Sequence, residues 1–527
     1  MRGDFDFIII GSGFGGSVSA LRLAEKGYSV LVLERGRRFG MKDFPKTNWD
    51  LRNYMWNPKA GMRGILSLSF FDHVTVLHGV GVGGGSLGYA NTLPTPKDAF
   101  FETGSWKGLA DWKAELAPHY ERVLTMLGAA ENPRLGEPDR ILGEIAREVG
   151  REEDFHRTRV GVFFGEPGRT VPDPFFGGAG PERTGCTFCG ACMTGCRVGA
   201  KNTLDRNYLH LAEALGVEVL AETEVTALRA RDGGGYVVET KEAFGRHRRR
   251  ESFGARSVVL AGGVLGSVPL LLKMREDPRG LPKLSPRVGD QVRTNNEALI
   301  GVVNPDTTAD MTRGVAITSI FHTDEHSHLE PVRAGKGADM FRILSLPHAP
   351  GKTLGARVRG AIAGYVKDPL LWAKFYTRRD LSPAGVTLLY MRTLESTLSL
   401  SLEGRARRLV TRLDDPTSAP RAFMDEANDL ADRFRAKMGG VQVSMLTELL
   451  RAIPTTAHIL GGACIGANAE EGVIDTQHRV FGYDGLYVID GSAMSANPGV
   501  NPSLSIASMA ERAMTFVPAK GHASPPS

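Results

Sequence analysis

Three glycines near the start of the chain form a motif that suits phosphate binding. Gly11, Gly13 and Gly16 follow the pattern G-x-G-x-x-G between an apolar run and a helical pattern. The first glycine permits a tight turn, the second lets the backbone approach a pyrophosphate, and the third lets the helix pack on the strand. Glu34 lies 18 residues after Gly16, where a carboxylate accepts hydrogen bonds from ribose hydroxyls. The motif predicts a dinucleotide site and does not distinguish FAD from NAD.

Four of the five cysteines fall within eleven residues, in the pattern C-x2-C-x2-C-x3-C: Cys186, Cys189, Cys192 and Cys196. Bacterial ferredoxins use this spacing for an iron–sulfur cluster, although they have proline where this chain has Arg197. Structural zinc sites usually take two C-x-x-C pairs that lie farther apart. Three interpretations therefore stay open, namely a 4Fe–4S or 3Fe–4S cluster, a zinc site, and a reduced or redox-sensitive structural knot. The fifth cysteine, Cys464, is expected to pack in the core.

The elements that must position these residues alternate between strand and helix. Phe5–Ile10, Ser17–Lys26 and Tyr28–Leu33 read as a βαβ unit around the glycine motif. Further runs of strand, glycine-rich turn and helix begin at Ser257 and at Ile474. Such signals at both ends and in the middle of the chain predict one discontinuous nucleotide-binding domain, with a second domain built from the insertions.

Composition excludes several classes of protein. The 527 residues are 42% hydrophobic and 23% charged, which excludes a disordered or fibrous chain and favours two domains. The net charge is only +5, so nucleic acid is not expected as a partner. The longest uncharged stretch is too short to span a membrane, and we expect a soluble, cytoplasmic protein.

The whole chain resembles the glucose-methanol-choline (GMC) oxidoreductases, FAD-dependent enzymes that oxidise alcohols, and is most similar to the cholesterol oxidase branch. The resemblance lies in the glycine motif and in further segments that occur in the family's order. These are GVGGGSL (81–87), GAKNTLDRNYL (199–209), VVLAGGVLGS (258–267), HILGG (458–462), LYVIDGSAM (486–494) and GVNPSLSIASMAER (499–512).

The resemblance implies an α/β fold with a discontinuous Rossmann-type FAD-binding domain and a substrate domain with a mainly antiparallel sheet and helices. The FAD-binding segments would be 1–40, 78–92, 200–300 and 458–527. The substrate or cap domain would comprise 41–77, 93–199 and 301–457, with the cysteines in its middle segment. FAD would contact the fingerprint glycines, Glu34 and the second glycine loop, which includes Gly83, Gly84, Gly85 and Ser86. Adenine would lie near Val225, and Asp490 would approach the ribityl chain or the flavin edge.

His458 and Asn501 match the family's paired active-site positions in front of the flavin N5 atom. Oxidation of an alcohol moves a hydride from carbon to N5 while the hydroxyl loses a proton, so a polar pair must hold the oxygen and accept that proton. Histidine suits this task because its ordinary pKa is near 6.5. The implied reaction is oxidation of a bulky secondary alcohol, such as the 3-hydroxyl of cholesterol, to a ketone with O2 as acceptor.

Two other functions are weighed against this oxidase. One is a dehydrogenase that passes electrons through the cysteines to a protein or quinone, and the other is a catalytically silent flavin- or metal-binding protein. Steroid oxidases that also shift a ring double bond use a carboxylate in the segment that corresponds to Asp368–Val386, which contains no glutamate here. Glu297 and Glu395 are the alternatives, and isomerase activity is in doubt.

Three weaker signals concern the surface. The histidine-rich segment HTDEHSH (322–328) is expected to be a solvated loop rather than a metal site. Leu354–Phe375 mixes basic and apolar residues and is expected to form a lid over the pocket, or alternatively to contact a membrane surface. The basic run Arg246–Arg250 is expected at an exposed hairpin tip.

Overall fold

Helices and strands alternate along the chain. The structure, a computed structural model, describes residues 3–245, 247–413, 415, 417 and 419–522. The helices are α1 (Phe14–Glu25), α2 (Leu51–Tyr54), α3 (Ala99–Glu102), α4 (Trp112–Met126), α5 (Glu137–Glu148), α6 (Tyr208–Ala214), α7 (Val264–Glu276), α8 (Leu354–Lys367), α9 (Pro369–Thr377), α10 (Asp425–Met438), α11 (Leu446–Arg451) and α12 (Ser503–Thr515). The strands are β1 (Asp4–Ile10), β2 (Val30–Leu33), β3 (Trp56–Asn57), β4 (Met62–Arg63), β5 (Leu66–Phe70), β6 (Thr75–Gly79), β7 (Ala129–Glu131), β8 (Phe155–Arg157), β9 (Arg159–Gly161), β10 (Thr170–Val171), β11 (Arg183–Thr184), β12 (Glu218–Leu220), β13 (Thr223–Ala230), β14 (Tyr236–Glu242), β15 (Arg250–Leu260), β16 (Val292–Arg293), β17 (Ala298–Val303), β18 (Ser319–His322), β19 (Ser327–Val332), β20 (Ser345–Pro347), β21 (Gly385–Arg392), β22 (Thr397–Glu403), β23 (Arg408–Arg412), β24 (Val441–Met445), β25 (Thr455–Thr456) and β26 (Leu486–Val488).

A seven-stranded sheet carries the glycine motif. Its order is β12-β2-β1-β15-β14-β13, and β26 pairs with β15. β1 is parallel to β2 and β15, whereas β13, β14 and β15 form an antiparallel meander. The apolar residues of β1 and β2 are buried on both faces, as expected for parallel strands covered by helices. The predicted Rossmann-type βαβ unit is confirmed.

The two ends of the chain meet on this sheet. β26 is parallel to β15, with Val488 opposite Leu260. α12 packs against α1 and α4. Arg22 of α1 forms a bidentate ion pair with Glu511 of α12, at 2.8 Å for each hydrogen bond. The nucleotide-binding sheet is therefore assembled from distant segments, as the recurring strand and turn signals predicted.

A second seven-stranded sheet has the order β20-β24-β17-β21-β19-β18-β8, and every pair in it is antiparallel. Along β17, Ala298, Ile300 and Val302 pack in a core with α5 and α10. The alternate residues, Leu299, Gly301 and Val303, face a large cavity. The predicted antiparallel sheet is confirmed, and its two faces separate a helical core from the cavity.

Two exposed features lie outside the sheets. One is the pair of consecutive helices α8 and α9. No helix in the described part of the chain is long and apolar enough to cross a membrane. The segment between β14 and β15 forms a hairpin, with His247 to Arg250 exposed as predicted. Arg246 lies outside the described residues.

Candidate active site

The glycine motif forms a tight turn between β1 and α1. Gly11 has a φ of +104°, and a Cβ atom there would lie 2.3 Å from the carbonyl oxygen of Ala261. A Cβ at Gly16 would lie 2.1 Å from the carbonyl oxygen of Gly11, so the helix can pack this closely only with glycine. At Gly13, by contrast, no atom lies within 4 Å of an added Cβ. That open space at the start of α1 is where a pyrophosphate would approach the helix N-terminus.

Glu34 is fixed at the end of β2. Its Oε2 accepts hydrogen bonds from the Ser12 amide at 3.1 Å and the Ser12 hydroxyl at 2.7 Å, and its Oε1 accepts one from the Gly36 amide at 2.8 Å. The carboxylate lines the cavity although it is nearly buried. Its position fits the predicted role at a ribose, because a fixed carboxylate can accept from both hydroxyls.

The second glycine loop packs directly on the first. A Cβ at Gly84, where φ is +54°, would lie 2.6 Å from the Cα of Gly13. The Gly83 amide donates to the Ser12 hydroxyl at 3.1 Å, and the Ser86 hydroxyl donates to the Gly83 carbonyl at 2.6 Å. Gly84 and Gly85 line the cavity. Gly83 and Ser86 hold the shape of the loop instead of facing the cavity.

Asp490 joins two glycine-rich turns. Its Oδ2 accepts from the Gly263 amide at 2.8 Å and the Ser267 hydroxyl at 2.5 Å, while Oδ1 accepts from the Ser492 amide at 2.7 Å. Burial raises the pKa of this carboxyl. Asp490 and Val225 both line the cavity, and Val225 lies at a bulge in β13. Both residues therefore border the space where the resemblance places the cofactor.

His458 follows β25 and faces the same cavity as Asn501. Its Nδ1 lies 3.1 Å from Oε2 of Glu297, and its backbone amide donates to the Thr456 hydroxyl at 2.9 Å. That hydroxyl in turn donates to Oε1 of Glu297. Because Nδ1 is held by a carboxylate, the ring is oriented and Nε2 is free of this contact. The arrangement matches a base that accepts a proton at Nε2.

Asn501, which precedes α12, contacts a second carboxylate. With its amide nitrogen turned toward Glu330, the side chain donates to Oε1 at 3.1 Å and to Oε2 at 3.3 Å. Glu330 lies on β19 and has no exposed surface. Two buried glutamates, Glu297 and Glu330, thus support the two residues that the resemblance places at the reaction centre.

The electrostatics of this cluster follow from its burial. Burial alone lowers the pKa of His458, but the charge of Glu297 and its hydrogen bond to the ring outweigh burial, and the pKa is raised above 6.5. Glu330 adds to this effect only when it is ionised. Burial raises the pKa of Glu330 to about 8, with a further contribution from the charge of Glu297. Burial also lowers the pKa of His328 to about 3, so this neighbour stays neutral.

The cavity has a volume of about 860 Å³ and extends from the glycine motif to the second sheet. Its lining beyond the polar cluster is largely apolar: Leu299, Val303, Ile317, Val332, Phe341, Phe375, Leu381, Leu389 and Val443. A cavity of this kind suits a flat cofactor together with a bulky, mostly apolar ligand that carries a single polar group.

The cysteine loop borders this cavity without forming a metal-binding group. Cys186 is buried, Cys189 is exposed and all four thiols are free. Within the described residues, no three histidine, cysteine or acidic side chains are placed to hold a metal ion. Burial raises the pKa of the Cys186 thiol to about 12, so without a metal ion this thiol is protonated. The four side chains as placed do not fit an iron–sulfur cluster or a zinc ion.

Lys201 ties the cysteine loop to the second glycine loop. Its buried ammonium donates to the carbonyls of Leu87, Tyr89 and Cys192, at 3.0, 2.8 and 2.9 Å. Gly190, Met193 and Thr194, between the cysteines, line the cavity. The loop thus forms part of the cavity wall. The expectation that Cys464 packs in the core is confirmed, since it is buried.

The interpretation of residues 322–328 as a solvated loop is wrong at both ends of the segment, since His322 belongs to β18. Ser327 and His328 belong to β19 and are fully buried. Glu330 lies in the polar sequence SHLEPV of that strand. No local sequence signal indicated that this glutamate is buried or that it contacts Asn501. Glu297 was considered only as an alternative isomerase base, and its contact with His458 spans 161 residues.

Comparison with known families finds matches to three segments of the chain. The family model described as GMC oxidoreductase matches residues 181–278 and, with its C-terminal part, residues 405–510. A model described as an NAD(P)-binding Rossmann-like domain matches residues 9–74. These segments contain the glycine motif, the cysteines, His458 and Asn501.

Individual relatives extend the match to the whole chain. A cholesterol oxidase from Mycobacterium tuberculosis is 46% identical over 542 residues, covering 99% of this chain and 92% of that protein. A cholesterol oxidase from Acinetobacter baumannii is 38% identical, covering 98% and 95%. Among solved structures, pyridoxine 4-oxidase from Mesorbium loti superposes with a TM-score of 0.58 at 15% identity, over 97% of this chain and 98% of that one. The last similarity concerns the fold.

Proposed function

The chain belongs to the GMC oxidoreductase family, and on that premise we propose that it is an FAD-dependent oxidase that converts the 3-hydroxyl of a sterol such as cholesterol to a ketone. The observation that carries the proposal is the 46% identity to a cholesterol oxidase over nearly the full length of both chains. The polar cluster at His458 and the apolar cavity wall agree with it.

The shape and lining of the cavity support a sterol as substrate. A sterol is a rigid hydrocarbon with one hydroxyl, so its binding requires a long apolar wall and few polar groups. Val332 and Leu389, on neighbouring strands of the second sheet, lie on the cavity wall together with Phe341 and Phe375. His458 and Asn501 supply polar groups at which the hydroxyl can be held.

The residues that would hold FAD are those that border the glycine turns. Gly13 leaves room for the pyrophosphate, Glu34 offers its carboxylate to the ribose, and Gly84 and Gly85 expose backbone beside the cavity. When bound, FAD supplies the acceptor for the hydride that leaves the carbinol carbon. We propose the division into segments 1–40, 78–92, 200–300 and 458–527 as the FAD-binding domain on the same basis.

His458 accepts the proton of the substrate hydroxyl at Nε2. The electron pair of the O–H bond then forms the carbonyl as the carbinol C–H bond is broken. Glu297 stabilises the imidazolium that results, because its carboxylate contacts Nδ1 at 3.1 Å. Asn501, which lines the same cavity, supplies a second polar contact for the substrate oxygen. The apolar wall excludes water, so these polar contacts act in a low-dielectric site.

Oxygen is the proposed electron acceptor. The 46% and 38% identical relatives are both named oxidases, which favours O2 over a protein or quinone acceptor. The iron–sulfur cluster that the cysteine spacing suggested rests on the spacing alone. The proposal routes no electrons through Cys186–Cys196.

Contact with a membrane surface would give the enzyme access to sterol, and the helices α8 and α9 support such a contact. Leu354, Val358, Ile362 and Val366 recur every four residues on α8 and are exposed, forming one apolar stripe. Leu370 of α9 extends the stripe and is 77% exposed. Phe375 of α9 is buried and lines the cavity, so the exposed stripe and the substrate wall belong to the same helix pair. We propose that this pair is at once a lid and a peripheral membrane contact.

The test is the visible spectrum of the anaerobic protein before and after addition of cholesterol. Bleaching of the flavin bands, followed by recovery and peroxide formation on admission of oxygen, is the expected result. A flavin that stays oxidised with cholesterol but bleaches with another alcohol would retain the family and reject the sterol. A protein purified without any flavin bands would contradict the cofactor assignment.

A further inference from the structure

Glu330 occupies an unusual position for a carboxylate. It lies on β19, the strand between β18 and β21, and its exposed fraction is 0%. Side chains alternate along a strand, so His328, Glu330 and Val332 share a face. Val332 lines the cavity, whereas Leu329 packs in the core on the opposite face. Glu330 therefore lies on the cavity face of the sheet, with Asn501 in contact with it.

Among the described residues, no lysine or arginine side chain forms an ion pair with Glu330. The nearest basic atom in an ion-pair geometry is Nε2 of His328 at 3.6 Å, and that buried histidine stays neutral. Glu297 adds a like charge, and only the Asn501 amide and a protonated His458 favour the ionised form. Ionisation of Glu330 is therefore costly, and its proton is held into the neutral pH range.

The groups on neighbouring elements do not change this conclusion. From β18, the ring of His322 packs against that of His328, with 5.8 Å between the ring centroids. The ammonium of Lys97 donates to the carbonyl of Ser327. On β21, Tyr390 bonds to Glu426 of α10 and belongs to the opposite face. The charged groups buried between α5 and the end of β19, Asp139 and Arg333, pair with each other.

The amide of Asn501 has two different ends. Its nitrogen donates to an ionised Glu330 at 3.1 and 3.3 Å. In the opposite orientation the amide oxygen faces the carboxyl group, and two acceptors would be in contact unless Glu330 carries a proton that it can donate. We propose that the proton on Glu330 decides which end of the Asn501 amide faces the cavity.

This orientation has a chemical consequence, which rests on the proposed oxidation of an alcohol. When Glu330 is protonated, the NH2 group of Asn501 faces the cavity and donates to the substrate oxygen as its proton leaves for His458. When Glu330 is ionised, the amide oxygen faces the cavity and repels the developing negative charge. Glu330 is thus a positioning residue, and its ionisation slows the reaction.

The experiment measures anaerobic flavin reduction by cholesterol in the holoenzyme from about pH 6 to about pH 10. The rate should rise as His458 loses its proton and fall, by about tenfold per pH unit, once Glu330 ionises near pH 8. Glu330→Gln cannot ionise, and its amide can donate to Asn501 as the protonated acid does. This variant should lose the alkaline decline while keeping the acid limb. Asn501→Ala should also lose the alkaline decline, at a lower rate throughout.

Glu448→Gln is the matched control. Burial also raises the pKa of Glu448 to about 8, but this residue lies in α11 and does not line the cavity. Both variants should remove part of the loss of thermal stability that a buried glutamate causes between about pH 4.5 and about pH 8, because its charged form is penalised only in the folded state. Of these two glutamate variants, only Glu330→Gln should change the pH profile of flavin reduction.

Two results would overturn the inference. One is an alkaline decline that persists in Glu330→Gln, and the other is a kinetic profile that changes equally in Glu448→Gln. In the first case, a changed stability profile of Glu330→Gln together with wild-type kinetics would assign Glu330 a structural role only. If the wild type fails to reduce its flavin with cholesterol at every pH, the proposed substrate is rejected, whereas the stability profiles still report on Glu330.

Discussion

The Nδ1 atom of His458 lies 3.1 Å from Oε2 of Glu297, although the two residues are 161 positions apart in the chain. Glu297 immediately precedes β17 of the antiparallel sheet, whereas His458 follows β25, which pairs with β6. The contact therefore joins the second, antiparallel sheet to the segment that carries the proposed base. A relative shift of these two parts would misorient the imidazole of His458, the proposed base.

His458→Ala should leave FAD bound and slow flavin reduction by roughly two to four decades, the usual contribution of a general base. The measurement is anaerobic stopped-flow reduction by cholesterol, with FAD content taken from the visible spectrum. His247→Ala, on the exposed hairpin, serves as the control and should reduce at the wild-type rate. Wild-type kinetics in His458→Ala would remove this residue from the mechanism.

Glu297→Gln should move the acid limb of the rate profile to lower pH. The charge of Glu297 raises the pKa of His458, so its removal lowers that pKa and leaves the imidazole neutral in more acidic solution. The plateau rate should fall by about tenfold or more, because the imidazolium loses its stabilising partner. The pH dependence of flavin reduction measures both effects. An acid limb that stays in place would contradict the assigned electrostatic role.

Alanine substitutions at Gly11 and Gly13 should have different effects, the first on the stability of the apoprotein and the second on FAD binding. At Gly11 the positive φ and the 2.3 Å approach to Ala261 predict a loss of about 1–3 kcal/mol in the free energy of unfolding of the apoprotein. At Gly13 the φ is −73° and the space is open, so the apoprotein should keep its stability. The added methyl group should instead weaken FAD binding by about tenfold or more. Denaturant titration and flavin titration give the two quantities, and full FAD affinity in Gly13→Ala would refute the placement of the pyrophosphate.

Val366→Asp and Leu370→Asp should weaken binding to phosphatidylcholine vesicles that contain cholesterol. The two side chains are 72% and 77% exposed, and inserting each into lipid contributes about 1.5–3 kcal/mol. The double variant should therefore lose about two decades or more of vesicle affinity in a cosedimentation assay. Leu215→Asp, also at an exposed leucine but between α6 and β12, is the control. Equal vesicle binding by the wild type, the double variant and Leu215→Asp would reject the membrane contact.

The four clustered thiols should differ in reactivity toward a disulfide reagent. Cys189 is exposed and should react first, whereas Cys186 is buried with a raised pKa and should react only on unfolding. Iron analysis of anaerobically purified protein should find less than one atom per chain. Stoichiometric iron and sulfide, with all four thiols protected until the metal is removed, would instead establish the cluster that their spacing suggests.

The local parts of the fold were predictable from sequence because their signals are local. The βαβ unit follows from apolar runs and glycine spacing, yet α1 begins at Phe14, three residues earlier than predicted. Glycine disfavours a helix by propensity, but packing overrides it here, since a Cβ at Gly15 would lie 1.7 Å from the carbonyl oxygen of Ile489. The tertiary neighbour that forces glycine at this position is 474 residues away.

The candidate site was predictable only in part. His458 and Asn501 were predicted by motif resemblance, and the structure places both on one cavity. Glu330 was missed because a glutamate in a polar strand sequence normally faces solvent, and only the order of the second sheet buries it. The cysteine spacing indicated a metal site, but spacing does not fix the directions of the side chains, and the described thiols do not form a group that could hold a metal ion.

The parallel pairing of β26 with β15 has a consequence for biosynthesis. The strand at 486–488 completes the nucleotide-binding sheet, and the helix at 503–515 packs against α1. A nascent chain therefore cannot finish this part of the fold until those residues leave the ribosome. Contacts of such long sequence separation also form slowly. FAD capture should therefore be a late, post-translational event, and the early chain, with its unpaired strand edges, should depend on chaperones until the cofactor locks the two ends together.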